Sequence, residues 1–117
     1  MITLRETRRL IDADPNNWPL HLMNFVDDFR RHRDPRALEE PFEPRSDRTG
    51  ALLASTAESL CDEVGLEVPE WISEVPAAIQ PYFVAGLENL KAITIAESPL
   101  RFRLRKIFVL ENFLTRA

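Results

Sequence analysis

The sequence predicts an all-α fold, a compact bundle of short helices broken by proline, and three observations carry that prediction. Apolar residues recur at helical spacing in successive stretches of the chain. Capping residues stand where those stretches begin and end. Nine prolines against three glycines then punctuate the rest, so the elements are cut by proline rather than hinged by glycine. One short extended segment near the C-terminus, Ile107–Leu110, is the expected exception. At 117 residues the chain has the length of one domain, and a single helical domain over 1–117 is expected.

The first helix is expected over 3–12, with Thr3 as N-cap and Leu4, Arg8 and Ile11 along one side. Asp14-Pro-Asn-Asn17 forms a turn. Pro19 opens a second helix reaching about Arg31, whose Leu22, Phe25, Val26 and Phe29 make one amphipathic stripe. Residues 34–49 hold Pro35, Pro41 and Pro44 among Glu39, Glu40 and Glu43, the composition of a helical turn followed by an extended acidic connector.

A third helix starts near Asp47, with Leu53, Ala57, Leu60, Cys61 and Val64 on one face and Gly65 as a left-handed cap followed by Leu66. Asp62 and Glu63 oppose the helix dipole in its last turn, which calls for a basic partner. Pro69-Glu-Trp-Ile-Ser-Glu74 reads as a single turn opened by proline. Residues 87–97 read as a fourth helix, weakened by the β-branched Ile93-Thr-Ile95. Ser98 is the expected N-cap, and Pro99 the first residue, of a short helix through about Lys106; a return to helix is expected from Glu111.

The net charge of −4 is unevenly distributed. Residues 34–75 hold three basic side chains against eleven acidic ones, whereas 76–117 hold six against three. An acidic middle beside a more basic C-terminal part serves either internal packing or separate partners. Neither a span of about twenty apolar residues nor the apolar core of a secretory leader is seen, so a cytoplasmic protein is expected. A single cysteine, Cys61, forms no internal disulfide and fits a reducing compartment.

Catalytic signatures are missing. His21 and His32 share one helix face but sit roughly 16 Å apart, too far to hold one ion together. Cys61 lies on an apolar face beside Asp62 and Glu63, which disfavour a thiolate. The adjacent pairs Asp27-Asp28, Glu39-Glu40 and Asp62-Glu63 point about 100° apart on a helix and do not converge as acid and base. The three glycines do not cluster, so no phosphate loop is formed. No catalytic residue, metal or cofactor is therefore expected. Trp18, Trp71, Tyr82 and Phe83 stand beside prolines, where aromatics either seal the core or mark an interface.

The segment 98–117 is the densest in features. Arg101, Arg103, Arg105 and Lys106 are its basic cluster; Leu100, Leu104 and Phe108 form an adjacent apolar stripe, with Leu104 and Phe108 expected to be buried. Arginine forks suit carboxylates and phosphates alike. Three targets remain open: the acidic stretch Glu39, Glu40 and Glu43 of the same chain, an acidic surface on another protein or protomer, or nucleic acid.

Three stretches together, 18–30, Gly65-Leu-Glu-Val-Pro-Glu-Trp71 and 96–109, resemble a group of small, mostly uncharacterised and largely actinobacterial proteins. In that group such a segment stands alone or follows a helix-turn-helix regulator domain, and some members sit in toxin–antitoxin-like gene pairs with nucleotidyltransferase-type partners. The resemblance implies a non-enzymatic protein-interaction module, an antitoxin-like or regulatory accessory subunit, and supplies no catalytic residues. Residues 1–17 are too short for a helix-turn-helix, so operator binding is not implied. The alternative is a nucleic-acid-binding regulator that uses the C-terminal arginines. No membrane partner is expected.

Overall fold

The computed structural model describes residues 1–43, 45–84, 95, 97–110 and 112–115. Of the described residues 58% are helical and 4% lie in strands, which establishes the mainly α class. Helix α1 spans Leu4–Ala13, and Thr3 caps it as expected, its hydroxyl accepting the Glu6 N–H at 3.0 Å. A 3-10 turn at Pro15–Asn17 leads into α2, Trp18–His32. Its buried residues are Leu22, Phe25, Val26 and Phe29, the stripe the spacing predicts. Arg30, Arg31 and His32 fill its last turn, where the helix dipole favours cations.

Helix α3, Arg48–Val64, occupies the centre of the fold. Asp47 caps it through the Gly50 N–H at 2.8 Å, and Gly65 ends it at φ 76°, a left-handed conformation suited to glycine. The expected one-sided stripe is too modest here, because every residue from Gly50 to Ala57 is buried. Small residues explain this: Gly50, Ala51, Ala54, Ser55 and Ala57 let elements close on α3 from several directions. At Gly50 a Cβ would lie 2.9 Å from Asp47 Oδ1 and 3.1 Å from Arg8 Nη1. Only glycine fits there without displacing that pair.

Between α2 and α3, and again past α3, the structure is made of short pieces. A 3-10 turn at Pro35–Leu38 precedes the acidic connector, and α4 is one turn, Glu70–Ser73. Trp71 donates its indole N–H to Leu38 O at 2.8 Å and meets Phe42 edge-on at 5.1 Å, tying these pieces together. The helix expected over 87–97 falls almost wholly outside the described residues. Strand β1, Tyr82–Phe83, pairs in parallel with β2, Ile107–Phe108, so Ile107 and Phe108 are extended. Phe83 and Phe108 stack across the pair at 5.0 Å.

The C-terminal segment departs from expectation in four ways. The helix, α5, is a single turn, Leu100–Arg103, because Lys106 at φ 63° turns the chain out of helix into β2. Ser98 does not cap it; its hydroxyl donates to Val109 O at 3.0 Å and accepts the Val109 N–H at 2.8 Å, closing the segment on itself. Phe102, not Leu104, is the buried residue: Leu104 is 68% exposed and Phe108 only half-buried. A single turn can bury one narrow side, and Phe102 and Arg105 take it. Residues 112–114 form a turn rather than the expected helix. No helix among the described residues is long and apolar enough to cross a membrane.

Candidate functional site

Helix α3 presents Glu58 and Asp62 four residues apart, and the C-terminal segment presents Arg101 and Arg105 at the same spacing. The two pairs face each other. Arg101 binds Asp62 through two parallel contacts, Nε to Oδ2 at 3.1 Å and Nη2 to Oδ1 at 3.0 Å, and reaches Glu58 Oε2 through Nη1 at 3.1 Å. Arg105 donates Nη1 to Glu58 Oε1, Nε to Val75 O at 3.1 Å and Nη2 to Ile72 O at 2.8 Å. Arg105 is 7% exposed and Glu58 4%. Glu58 thus lies between two guanidiniums, and Arg105 also binds two backbone carbonyls of the α4 region.

These contacts relocate the expected partner-binding cluster. Arg105 is buried within the fold, whereas Arg101 is bound to α3 and remains partly exposed. The acidic stretch is not their target. Glu40 instead pairs with Arg5 at 2.8 Å, both side chains well exposed, while Glu39 and Glu43 are exposed. Glu40 and Glu43 line a shallow groove against α1 with Arg5, Arg8 and Arg9. Arg103 and Lys106 do point outward: Arg103 forms no side-chain ion pair among the described residues, and Lys106 reaches only Ile79 O at 3.4 Å. The outward face of this segment therefore carries Arg103, Lys106, and the exposed Leu100 and Leu104.

A second ionic centre was only half visible in the sequence. Arg8 falls on the apolar face of α1, where a cation needs a partner, and that partner is Asp47, contacted at 3.0 and 2.5 Å. Arg8 also donates Nε to Asp12 at 3.1 Å and lies 5.5 Å above the Phe42 ring. Burial pushes the Asp47 carboxyl up, but the hydrogen bonds from Arg8 and the Gly50 N–H outweigh it and hold Asp47 below the usual carboxylate range. The two acids ending α3 both find basic partners, Asp62 in Arg101 and Glu63 in Arg30 at 2.8 Å.

The histidines stay apart. His21 meets Asp14 at 3.1 Å, and His32 Nδ1 lies 3.0 Å from Asp28 O. Among the described residues no group of three or more His, Cys, Asp or Glu is arranged to hold a metal ion. Burial, with the Asp62 charge adding to it, pushes the Cys61 thiol up to about 11. Native protein at pH 8 should therefore react with iodoacetamide at least about tenfold more slowly than unfolded chain, whose thiol has a pKa of about 8.5. Equal rates, read by mass spectrometry, would show that the thiol is not sequestered. Scans of family models and searches of curated proteins and solved structures return no match to the chain.

Proposed function

We propose that this chain is a non-enzymatic interaction module, an antitoxin-like or regulatory accessory subunit, that docks a partner protein on the outward face of its C-terminal segment. One observation carries the reading: Leu100 and Leu104, 59% and 68% exposed, stand four residues apart in a short segment whose Arg103 and Lys106 are also exposed. Leu100 opens the one-turn helix and Leu104 follows it, and the apolar surface both leave exposed is removed from water by a partner that covers them. Two cations at the rim favour an acidic partner and speed its encounter.

Nucleic acid is the weaker reading. With Arg105 buried and Arg101 paired with α3, Arg103 and Lys106 are the exposed cations of the cluster that form no ion pair among the described residues. Two phosphate contacts give a salt slope of only about −1.8, well short of the six to ten contacts of a strongly salt-dependent binder.

Leu104→Asp is the discriminating variant. Its stability should stay within about 0.5 kcal/mol of the parent, because the side chain is exposed. Pull-down from native cells, read by mass spectrometry, is expected to recover an acidic partner with the parent chain and to lose it with Leu104→Asp. Equal recovery by both, or no specific partner with the parent, contradicts the reading. Retention of duplex DNA or RNA in a low-salt gel-shift assay, lost with Arg103→Gln, would favour the alternative.

A further inference from the structure

A small cavity of about 80 Å³ opens between α1, α2, the start of α3 and β1. Ile11, Pro15, Leu52 and the rings of Trp18 and Tyr82 make its apolar walls, and Thr49 and Arg48 complete the lining. Among the described residues neither histidine nor carboxylate lines it, in a chain whose net charge is −4. The Arg48 guanidinium is held 4.8 Å above the Tyr82 ring, which fixes it at the cavity without neutralising it. Arg48 is also not needed to cap α3, since Asp47 does that.

The polar atoms of the lining share one property. The Arg48 guanidinium, the Trp18 indole N–H and the hydroxyls of Thr49 and Tyr82 form no side-chain hydrogen bond with the described residues and are open to solvent, so a ligand can reach them. The contrast with Trp71 is direct, because its indole N–H is taken by Leu38 O. The indole N–H and the guanidinium can only donate, the two hydroxyls can donate or accept, and the one charge among them is positive. A complementary ligand therefore brings acceptors and a negative charge. The apolar walls and the volume, about half that of a cavity able to hold benzene, admit an aliphatic group of three or four carbons.

We propose that this cavity binds a compact aliphatic carboxylate, the alkyl group seated against Trp18 and Tyr82 and the carboxylate held by Arg48. Such a group can be a free short-chain acid or the C-terminal residue of a peptide. Both present the same chemistry. The site is separate from the Leu100–Leu104 face, and neither proposal depends on the other.

The two tryptophans give the test an internal control. In ¹⁵N-labelled full-length chain, titration with isovalerate is expected to shift the Trp18 indole signal along a saturating curve and leave that of Trp71 in place. Isovaleramide, which lacks the charge, should bind at least about tenfold more weakly, as should isovalerate to Arg48→Gln, since a lost charge-assisted contact is worth about a factor of ten or more. Arg48 is exposed, so the variant should fold, which the unchanged Trp71 signal would report. Acetyl-Ala-Ala-Val with a free terminus, compared with its amide, separates the sources. Tighter binding of the acid tripeptide than of isovalerate assigns the site to peptide C-termini; the reverse assigns it to free acids. A Trp18 signal that does not move with either ligand overturns the proposal. So does equal binding of acid and amide, or an Arg48→Gln variant that binds like the parent.

Discussion

Replacement of Glu58 by alanine is expected to lower the unfolding free energy by about 3–5 kcal/mol, measured by urea denaturation. The magnitude comes from what is left behind. Arg105 is 7% exposed, and without Glu58 its charge keeps only Val75 O and Ile72 O as partners. Arg101 would lose one contact but keep its two bonds to Asp62 in a more exposed setting, so it adds little. Glu58→Gln retains shape and an acceptor while removing the charge, and should fall between parent and alanine variant. Arg103→Ala is the contrasting control, because an outward side chain without an ion pair should change stability by no more than about 0.5 kcal/mol. A loss below about 1 kcal/mol for Glu58→Ala would mean that the C-terminal segment is not anchored through this pair.

The second large effect is expected at Asp47. Asp47→Ala removes an N-cap, worth about 1 kcal/mol, and strips buried Arg8 of its bidentate partner. Because Asp47 is partly exposed and Asp12 still reaches Arg8, the total should be about 2–3 kcal/mol rather than the full cost of a buried pair. Asp47→Asn keeps a good cap and loses the charge, so the difference between the two variants separates capping from pairing. Acid titration supplies an independent check. A carboxyl whose folded value is depressed contributes stability that is present above its unfolded value, near 4, and is lost as pH falls through the lower folded value. Stability of the parent should therefore decline below about pH 4 more steeply than that of Asp47→Asn. Parallel declines would show that Asp47 carries no share of the acid sensitivity.

Much of the fold was legible because its helices obey local rules. Thr3 and Gly65 act as the caps their chemistry predicts, α3 starts where expected beside Asp47, and the buried residues of α2 are those of its apolar stripe. These features depend on spacing within one element. The ion pairs were less legible, because each joins residues distant in sequence: 47 positions from Glu58 to Arg105 and 39 from Arg8 to Asp47. A partial signal existed in both cases. Arg8 on an apolar stripe required an acid, and acids at 58 and 62 match arginines at 101 and 105 in spacing. Sequence spacing could not say that α3, rather than the Glu39–Glu43 stretch, would be the element packed against the C-terminal segment. Leu104 misled for a related reason. A longer helix would have carried Leu100, Leu104 and Phe108 on one buried face, but the chain leaves helix after one turn and turns Phe102 inward instead.

What remains outward once Arg105 turns inward and Arg101 is bound at the edge of α3 is the face on which the proposed function rests. The division of the C-terminal segment into an inward ionic anchor and an outward apolar face is thus the claim on which the rest depends. A double-mutant cycle between Glu58→Gln and Arg105→Met, followed by urea unfolding, tests it most directly. The expected coupling is about 2 kcal/mol or more, with the double variant more stable than the two single losses would sum to, because removing both charges leaves neither buried alone. Single-variant losses that add to within about 0.5 kcal/mol would show that the two residues act independently, and would return Arg105 to the surface as a cation available to a partner.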